Sequence, residues 1–109
     1  SKQGSLAKNA EQEELTPTQF QLFQNYPNPF NPQTVIRFAL PQQANVKLTI
    51  YDVSGRKVRT LVNENMAAGY HNITWNGLND NGAQVGTGVY FYHITAGDFS
   101  EVRKMLLVR

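Results

Sequence analysis

Thr34-Val35-Ile36-Arg37-Phe38-Ala39-Leu40 and, after five intervening residues, Val46-Lys47-Leu48-Thr49-Ile50-Tyr51 decide the fold. Thr34, Ile36, Phe38 and Leu40 alternate with Val35, Arg37 and Ala39, and Val46, Leu48 and Ile50 alternate with Lys47, Thr49 and Tyr51. A period of two marks a strand with one face turned inward. Pro41-Gln42-Gln43-Ala44-Asn45 between them holds the proline and polar residues a turn needs. Asp52-Val53-Ser54-Gly55-Arg56 then interrupts the pattern, and Lys57-Val58-Arg59-Thr60-Leu61-Val62 resumes it. That arrangement predicts a hairpin with Gly55 at positive φ.

Working outward, turns are expected at Ala68-Gly69, Asn76-Gly77, Asn81-Gly82, Gly86-Thr87-Gly88 and Ala96-Gly97-Asp98. They bracket strands at His71–Trp75, Val89–Thr95 and Phe99–Val108, giving about seven short antiparallel strands, the spacing of an all-β sandwich in two sheets. The Val89–Thr95 strand is expected to be central. Tyr90, Tyr92 and Ile94 would face Trp75 and Ile73 across the core, while Val89, Phe91 and His93 share the other face.

The chain has 109 residues, 40% of them hydrophobic, 11% aromatic and 17% charged, which suits one folded domain and not a disordered polyampholyte. With no cysteine, disulfide scaffolds, thiolate metal sites and cysteine enzymes are excluded. No apolar run approaches the roughly 18 residues of a membrane helix, and no signal peptide opens the chain. Its start at Ser1 is read as the trimmed end of a longer protein. Ser1 to Thr18, polar and acidic apart from Leu6 and Leu15, is expected to be a flexible tether, leaving residues 19–109 as the domain. Two lysines against three glutamates leave residues 1–14 at −1, and eight bases against five acids leave residues 15–109 at +3. So mild a balance, with its only dense basic runs at Arg56-Lys57-Arg59 and Arg103-Lys104-Arg109, argues against nucleic acid.

Reactive constellations are missing. His71 and His93 fall on different strands without a third ligand or carboxylate partner, and Ser54 lacks a nucleophile elbow and its supporting residues. The oxygen-rich run Asn76 to Gly82 fails the calcium-loop pattern, because glycine stands at Gly77 and Gly88 where ligands are required, so turn formation is the better reading. No metal or cofactor and no enzymatic activity are expected. Tyr51 and Phe91, with Tyr70 as a third member, offer an aromatic platform for a glycan; core or hinge packing is the competing role.

Tyr26-Pro27-Asn28-Pro29-Phe30-Asn31-Pro32 places three of the five prolines within six residues. Proline fixes φ and removes donors, so an extended, polyproline-like strap is expected here and not a central strand. Tyr26 and Phe30 are expected to anchor it into the end of the sandwich and seal the core. Such a strap also suits recognition, since it has little entropy left to lose on binding.

Asn25 to Pro32, Tyr51-Asp52-Val53-Ser54-Gly55-Arg56-Lys57-Val58, Ala68-Gly69, Gly88-Val89-Tyr90-Phe91-Tyr92 and Arg103-Lys104-Met105-Leu106-Leu107-Val108-Arg109 together resemble, in order and spacing, the type A C-terminal sorting domain of the type IX secretion system. The resemblance runs from about Phe20 to the last residue. It implies a seven-stranded immunoglobulin-like sandwich at the end of a larger cargo protein of the Bacteroidetes, a monomer, carried through the periplasm to the extracellular side or cell surface. The implied partners are the outer-membrane translocon, a sortase-like peptidase cutting in the tether before Phe20, and the upstream cargo domain. The residues the translocon would read are Tyr26, Pro27, Asn28, Pro29, Phe30, Gly55, Arg56, Gly88, Tyr90, Lys104, Leu106, Leu107, Val108 and Arg109. A free edge at Leu106 to Val108 is expected to pair with a partner sheet. The domain also resembles the immunoglobulin-like module of the flagellar hook-capping protein, and similar modules occur in thermophile glycosidases. Retention as a carbohydrate-binding or wall-attachment module, with contacts at Tyr51 and Phe91, is therefore the alternative.

Overall fold

In the computed structural model, which describes residues 16–109, the two deciding stretches form β2 (Thr34–Leu40) and β3 (Ala44–Tyr51). Ile36, Phe38, Leu40, Val46, Leu48 and Ile50 are all buried, as a strand with one inward face requires. The chain leaves β2 for the opposite layer at the Pro41 turn. β2 lies in a three-stranded sheet with β1 (Gln21–Leu22) and β5 (Gly69–Trp75), in the order β1-β2-β5. The other sheet holds β4 (Lys57–Met66), β3, β6 (Gly88–Ala96) and β7 (Phe99–Leu107), in the order β4-β3-β6-β7. Every neighbouring pair is antiparallel. The result is the expected immunoglobulin-like sandwich, with β6 inside its sheet.

Tyr90, Tyr92 and Ile94 point into the core, where Trp75 lies edge-on to Tyr90 with ring centroids 5.4 Å apart. Val89, Phe91 and His93 face outward and are half-buried. Gly55 turns the β3–β4 hairpin at φ 87°. In that turn the Asp52 carboxylate accepts the Ser54 hydroxyl at 2.6 Å and the backbone N–H groups of Ser54 and Arg56 at 2.9 and 3.0 Å. The Ser54 hydroxyl, then the Arg56 N–H, hold this carboxyl below its usual range.

Several strand boundaries differ from expectation, and β3 already begins at Ala44, inside the expected turn. β4 runs on to Met66, because Asn63, Glu64 and Asn65 pair with β3 while their side chains face water, so the apolar alternation ends before the ladder does. β5 begins at Gly69, where it pairs with Leu40. β1 has two residues, too few to show a period. The expected tether, residues 1–18, falls outside the described residues as far as Leu15; Thr16 to Thr18 form no strand, and Pro17 is buried. The chain enters the sandwich beside the β6–β7 turn, where Phe20 stacks on Phe99 with centroids 5.5 Å apart. No helix among the described residues is long and apolar enough to cross a membrane.

Tyr92 ties the entering segment to the core. Its buried hydroxyl accepts the Asn25 N–H at 2.8 Å and donates to the Phe23 carbonyl at 2.8 Å. Burial pushes its pKa from 10.0 up to about 12, because the phenolate would lose its hydration. Since the folded pKa is raised, this contribution to stability is complete below pH 10.0 and is lost as the pH climbs through about 12. Ultraviolet titration should therefore find that, of the five tyrosines, one ionises only near pH 12, and Tyr92→Phe should remove that latest step. A titration with no such late step in the folded protein would contradict the arrangement.

Candidate functional site

The proline strap closes one end of the sandwich. Its start is tied to β2: Tyr26 N–H donates to the Val35 carbonyl at 3.0 Å, and Val35 N–H donates back at 2.9 Å. Asn25, only 2% exposed, donates through Nδ2 to Thr34 Oγ1 at 2.9 Å and to the Pro27 carbonyl at 3.2 Å, while Thr34 Oγ1 donates to the same carbonyl at 2.8 Å. These bonds satisfy the polar groups that the prolines leave without ladder partners. The strap bends at Pro27 to Pro29 and again at Asn31 to Pro32, so it is not the extended, polyproline-like rod expected.

The strap then crosses to the other sheet. Phe30 N–H donates to the Leu106 carbonyl, Val108 N–H donates to the Phe30 carbonyl, each at 3.0 Å, and the two segments run parallel. Leu106 N–H is taken by Asn28 Oδ1 at 3.0 Å. This overturns the expectation of a free edge at Leu106 to Val108: the strap occupies it, and Leu107 is fully buried. The anchoring expectation is half right. Phe30 sinks to 2% exposure against Trp75, with centroids 5.7 Å apart, but Tyr26 is 80% exposed and seals nothing. Tyr26 points away because its backbone pairs with Val35, whose side chain lies on the outward face of β2.

The last residue fastens the same end. Arg109 N–H donates to Thr87 Oγ1 at 2.9 Å, Nε to the Val85 carbonyl at 2.6 Å and Nη2 to the Gly77 carbonyl at 2.8 Å. Gly77 sits at φ 76°, and a Cβ there would stand 2.8 Å from Arg109 Nη2 and 3.2 Å from the Pro32 carbonyl. Only glycine meets both demands. Trp75 Nε1 donates to the Leu78 carbonyl at 2.9 Å and the Tyr90 hydroxyl to the Gly86 carbonyl at 2.7 Å, fixing the Gly77–Thr87 loop from below. Within that loop Asn79 Oδ1 accepts the N–H groups of Asn81 and Ala83 and so builds the turn, while Asp80 Oδ1 accepts Thr60 N–H and ties the loop to β4.

The residues expected to be read by a translocon thus separate by role. Tyr26, Pro27, Asn28, Pro29, Lys104, Leu106, Val108 and Arg109 are exposed; Asn28, Leu106, Val108 and Arg109 meet at the strap end, Lys104 lies on the outward face of β7, and Tyr26 lies on the outward face of the other sheet beside Val35. Phe30, Tyr90 and Leu107 are buried beneath the strap end and hold its shape. Gly88 opens β6 next to this end, opposite Leu107. Gly55 and Arg56 lie on the β3–β4 turn, and Arg56 faces the Gly77–Thr87 loop across an open cleft of about 390 Å³ lined also by Val58, Asn79, Val85 and Tyr90.

Tyr51 and Phe91 are direct cross-strand partners on the outer face of the four-stranded sheet, both half-buried. Tyr70 does not join them. It sits on β5, in the other sheet, opposite Ala39, because sheet membership follows long-range pairing that local alternation does not encode. There it forms an assembly that sequence reasoning missed, with Arg37 and Phe23. The histidines stay apart: His71 stacks on Phe38 and shares a hydrogen bond with the Ala67 carbonyl, while His93 bonds Ser100 Oγ. Among the described residues no group of three acidic, histidine or cysteine side chains could hold a metal.

The family model of the FlgD Ig-like domain matches residues 28–99. Among solved structures, the chain is similar to dimeric latent PorU from Porphyromonas gingivalis, with TM-score 0.67 and 22% identity over 86% of this chain and 10% of that one. It is similar to PorZ of the same organism, an essential bacterial surface component of the type IX secretion system, with TM-score 0.56 and 21% identity over 81% of this chain and 11% of that one. It is also similar to FlgD from P. aeruginosa, with TM-score 0.54 and 21% identity over 68% of this chain and 58% of that one. The chain therefore spans about a tenth of the first two. No curated protein matches.

Proposed function

The chain belongs to the FlgD Ig-like domain family, and from that premise we propose that it is a non-catalytic C-terminal sorting signal, which directs a larger cargo protein through the type IX translocon of the outer membrane to release or surface attachment. The observation that carries this reading is the convergence of the strap, the Gly77–Thr87 loop and the chain end into one backbone-fastened surface. A surface held by buried anchors is already ordered, so a partner that binds it has little conformational entropy to remove. The fold shared with segments of PorU and PorZ supports the same system.

Export of a reporter fused ahead of Ser1, in a host with this secretion system, tests the reading. Combined replacement of exposed Tyr26, Lys104 and Leu106 by serine should abolish export while the purified domain still unfolds cooperatively with its thermal midpoint lowered by no more than about 12 °C, because surface changes cost within about 0.5 kcal/mol each. Full export of that triple variant would refute recognition at this end. A second reading, a glycan or cell-wall contact, is favoured by the pairing of Tyr51 with Phe91 on an outward sheet face.

A further inference from the structure

The outer face of the β1-β2-β5 sheet carries an arrangement that the sorting reading does not use. Arg37 lies on the outward side of β2, with its guanidinium carbon 4.4 Å from the centre of the Tyr70 ring and 5.8 Å from that of Phe23. The two rings are themselves 6.4 Å apart. The register explains the grouping: Phe23 N–H bonds the Arg37 carbonyl, Arg37 pairs with Asn72, and Tyr70 pairs with Ala39 one step further along the same face. Val35, paired with Thr74 and bridged to Tyr26, forms the next row at the other side. Successive outward rows of an antiparallel sheet are about 7 Å apart, so aromatic and polar groups extend along roughly 14 Å with Arg37 in the middle row.

Charge on this face is one-sided. Its outward positions are Val35, Arg37, Ala39, Tyr70, Asn72 and Thr74, so Arg37 is its only ionic group. Each ion pair among the described residues joins other side chains, and no described carboxylate lies within salt-bridge range of Arg37. The Arg37 guanidinium lies over both rings and is exposed, and a guanidinium presents a fork of N–H groups that matches a carboxylate with two parallel bonds. The flanking rings offer apolar faces and, through the Tyr70 hydroxyl with Asn72 and Thr74, polar contacts at the rim.

We infer that this face binds an acidic polysaccharide of the polyuronate class, with a sugar carboxylate on the Arg37 fork and neighbouring rings on Tyr70 and Phe23. Affinity electrophoresis of the full chain in gels containing polygalacturonate tests it, with neutral dextran and polyglutamate gels alongside. Retardation is expected in polygalacturonate only. Arg37→Gln should weaken it about tenfold, the scale of one hydrogen bond to a charged group, and Arg37→Lys nearly as much, since an ammonium has no planar fork. Lys47→Gln removes one charge from the opposite sheet and should leave retardation unchanged. No retardation, equal losses in Arg37→Gln and Lys47→Gln, full binding by Arg37→Lys, or equal retardation by polyglutamate would each overturn the assignment.

Discussion

Trp75→Ala is expected to lower the unfolding free energy by about 3–5 kcal/mol, the range for truncating a buried large aromatic. Against a total of about 5–15 kcal/mol for a domain, that is from about a fifth to all of the stability margin. The indole is fully buried, with Tyr90 edge-on at 5.4 Å and Phe30 tilted at 5.7 Å, so its removal opens a cavity that two other rings border and neither can fill. The Leu78 carbonyl also loses the Nε1 donor that holds it at 2.9 Å. Urea denaturation should show the midpoint falling with an unchanged slope. Trp75→Phe should recover part of the loss, because it restores apolar volume without the donor. A cost below about 1 kcal/mol for the alanine variant would mean that this ring is not central to packing at the strap end.

Phe30→Ala has a comparable ceiling, about 3–5 kcal/mol, but a more local signature. Phe30 is both the plug beside Trp75 and the residue whose N–H and carbonyl bond Leu106 and Val108. Without the ring the strap loses its hold on the core, and the bonds to β7 should open by local fluctuation before the sandwich unfolds. Hydrogen exchange should therefore speed up at Leu106 and Val108 by at least about tenfold more than at Ile94 on the central strand. Tyr26→Ala, by contrast, should shift stability by no more than about 0.5 kcal/mol, since its side chain is 80% exposed. Uniform acceleration at all three amides in Phe30→Ala would show that strap and sandwich open as one unit.

Most of the architecture was legible in the order of residue types. Alternation at Ile36, Phe38 and Leu40, or at Tyr90, Tyr92 and Ile94, needs no partner to be read, because the pleat sends neighbours to opposite faces whatever strand lies alongside. Gly55 and Gly77 announced their turns through conformations that other residues resist. The contacts made at long range were not legible. Nothing near Phe30 indicates that Leu106 and Val108 will bond its backbone, and nothing near Tyr70 indicates that its sheet mates are Arg37 and Phe23 and not Tyr51 and Phe91. Tyr26 misled because an aromatic among prolines looks like an anchor, whereas its orientation follows from the Val35 bridge. The candidate site was thus visible as a set of motifs, and its division into exposed residues and buried supports was not.

Entry and exit of the chain lie at opposite poles of the molecule. Phe20 meets Phe99 at the start of β7, and Arg109 is fastened beyond its end, nine strand residues or about 30 Å away. Under the sorting role proposed above, a partner bound at the Arg109 pole would sit about 30 Å from the point where Phe20 joins the sandwich, so its contacts and those of any upstream domain would fall on separate ends of the fold.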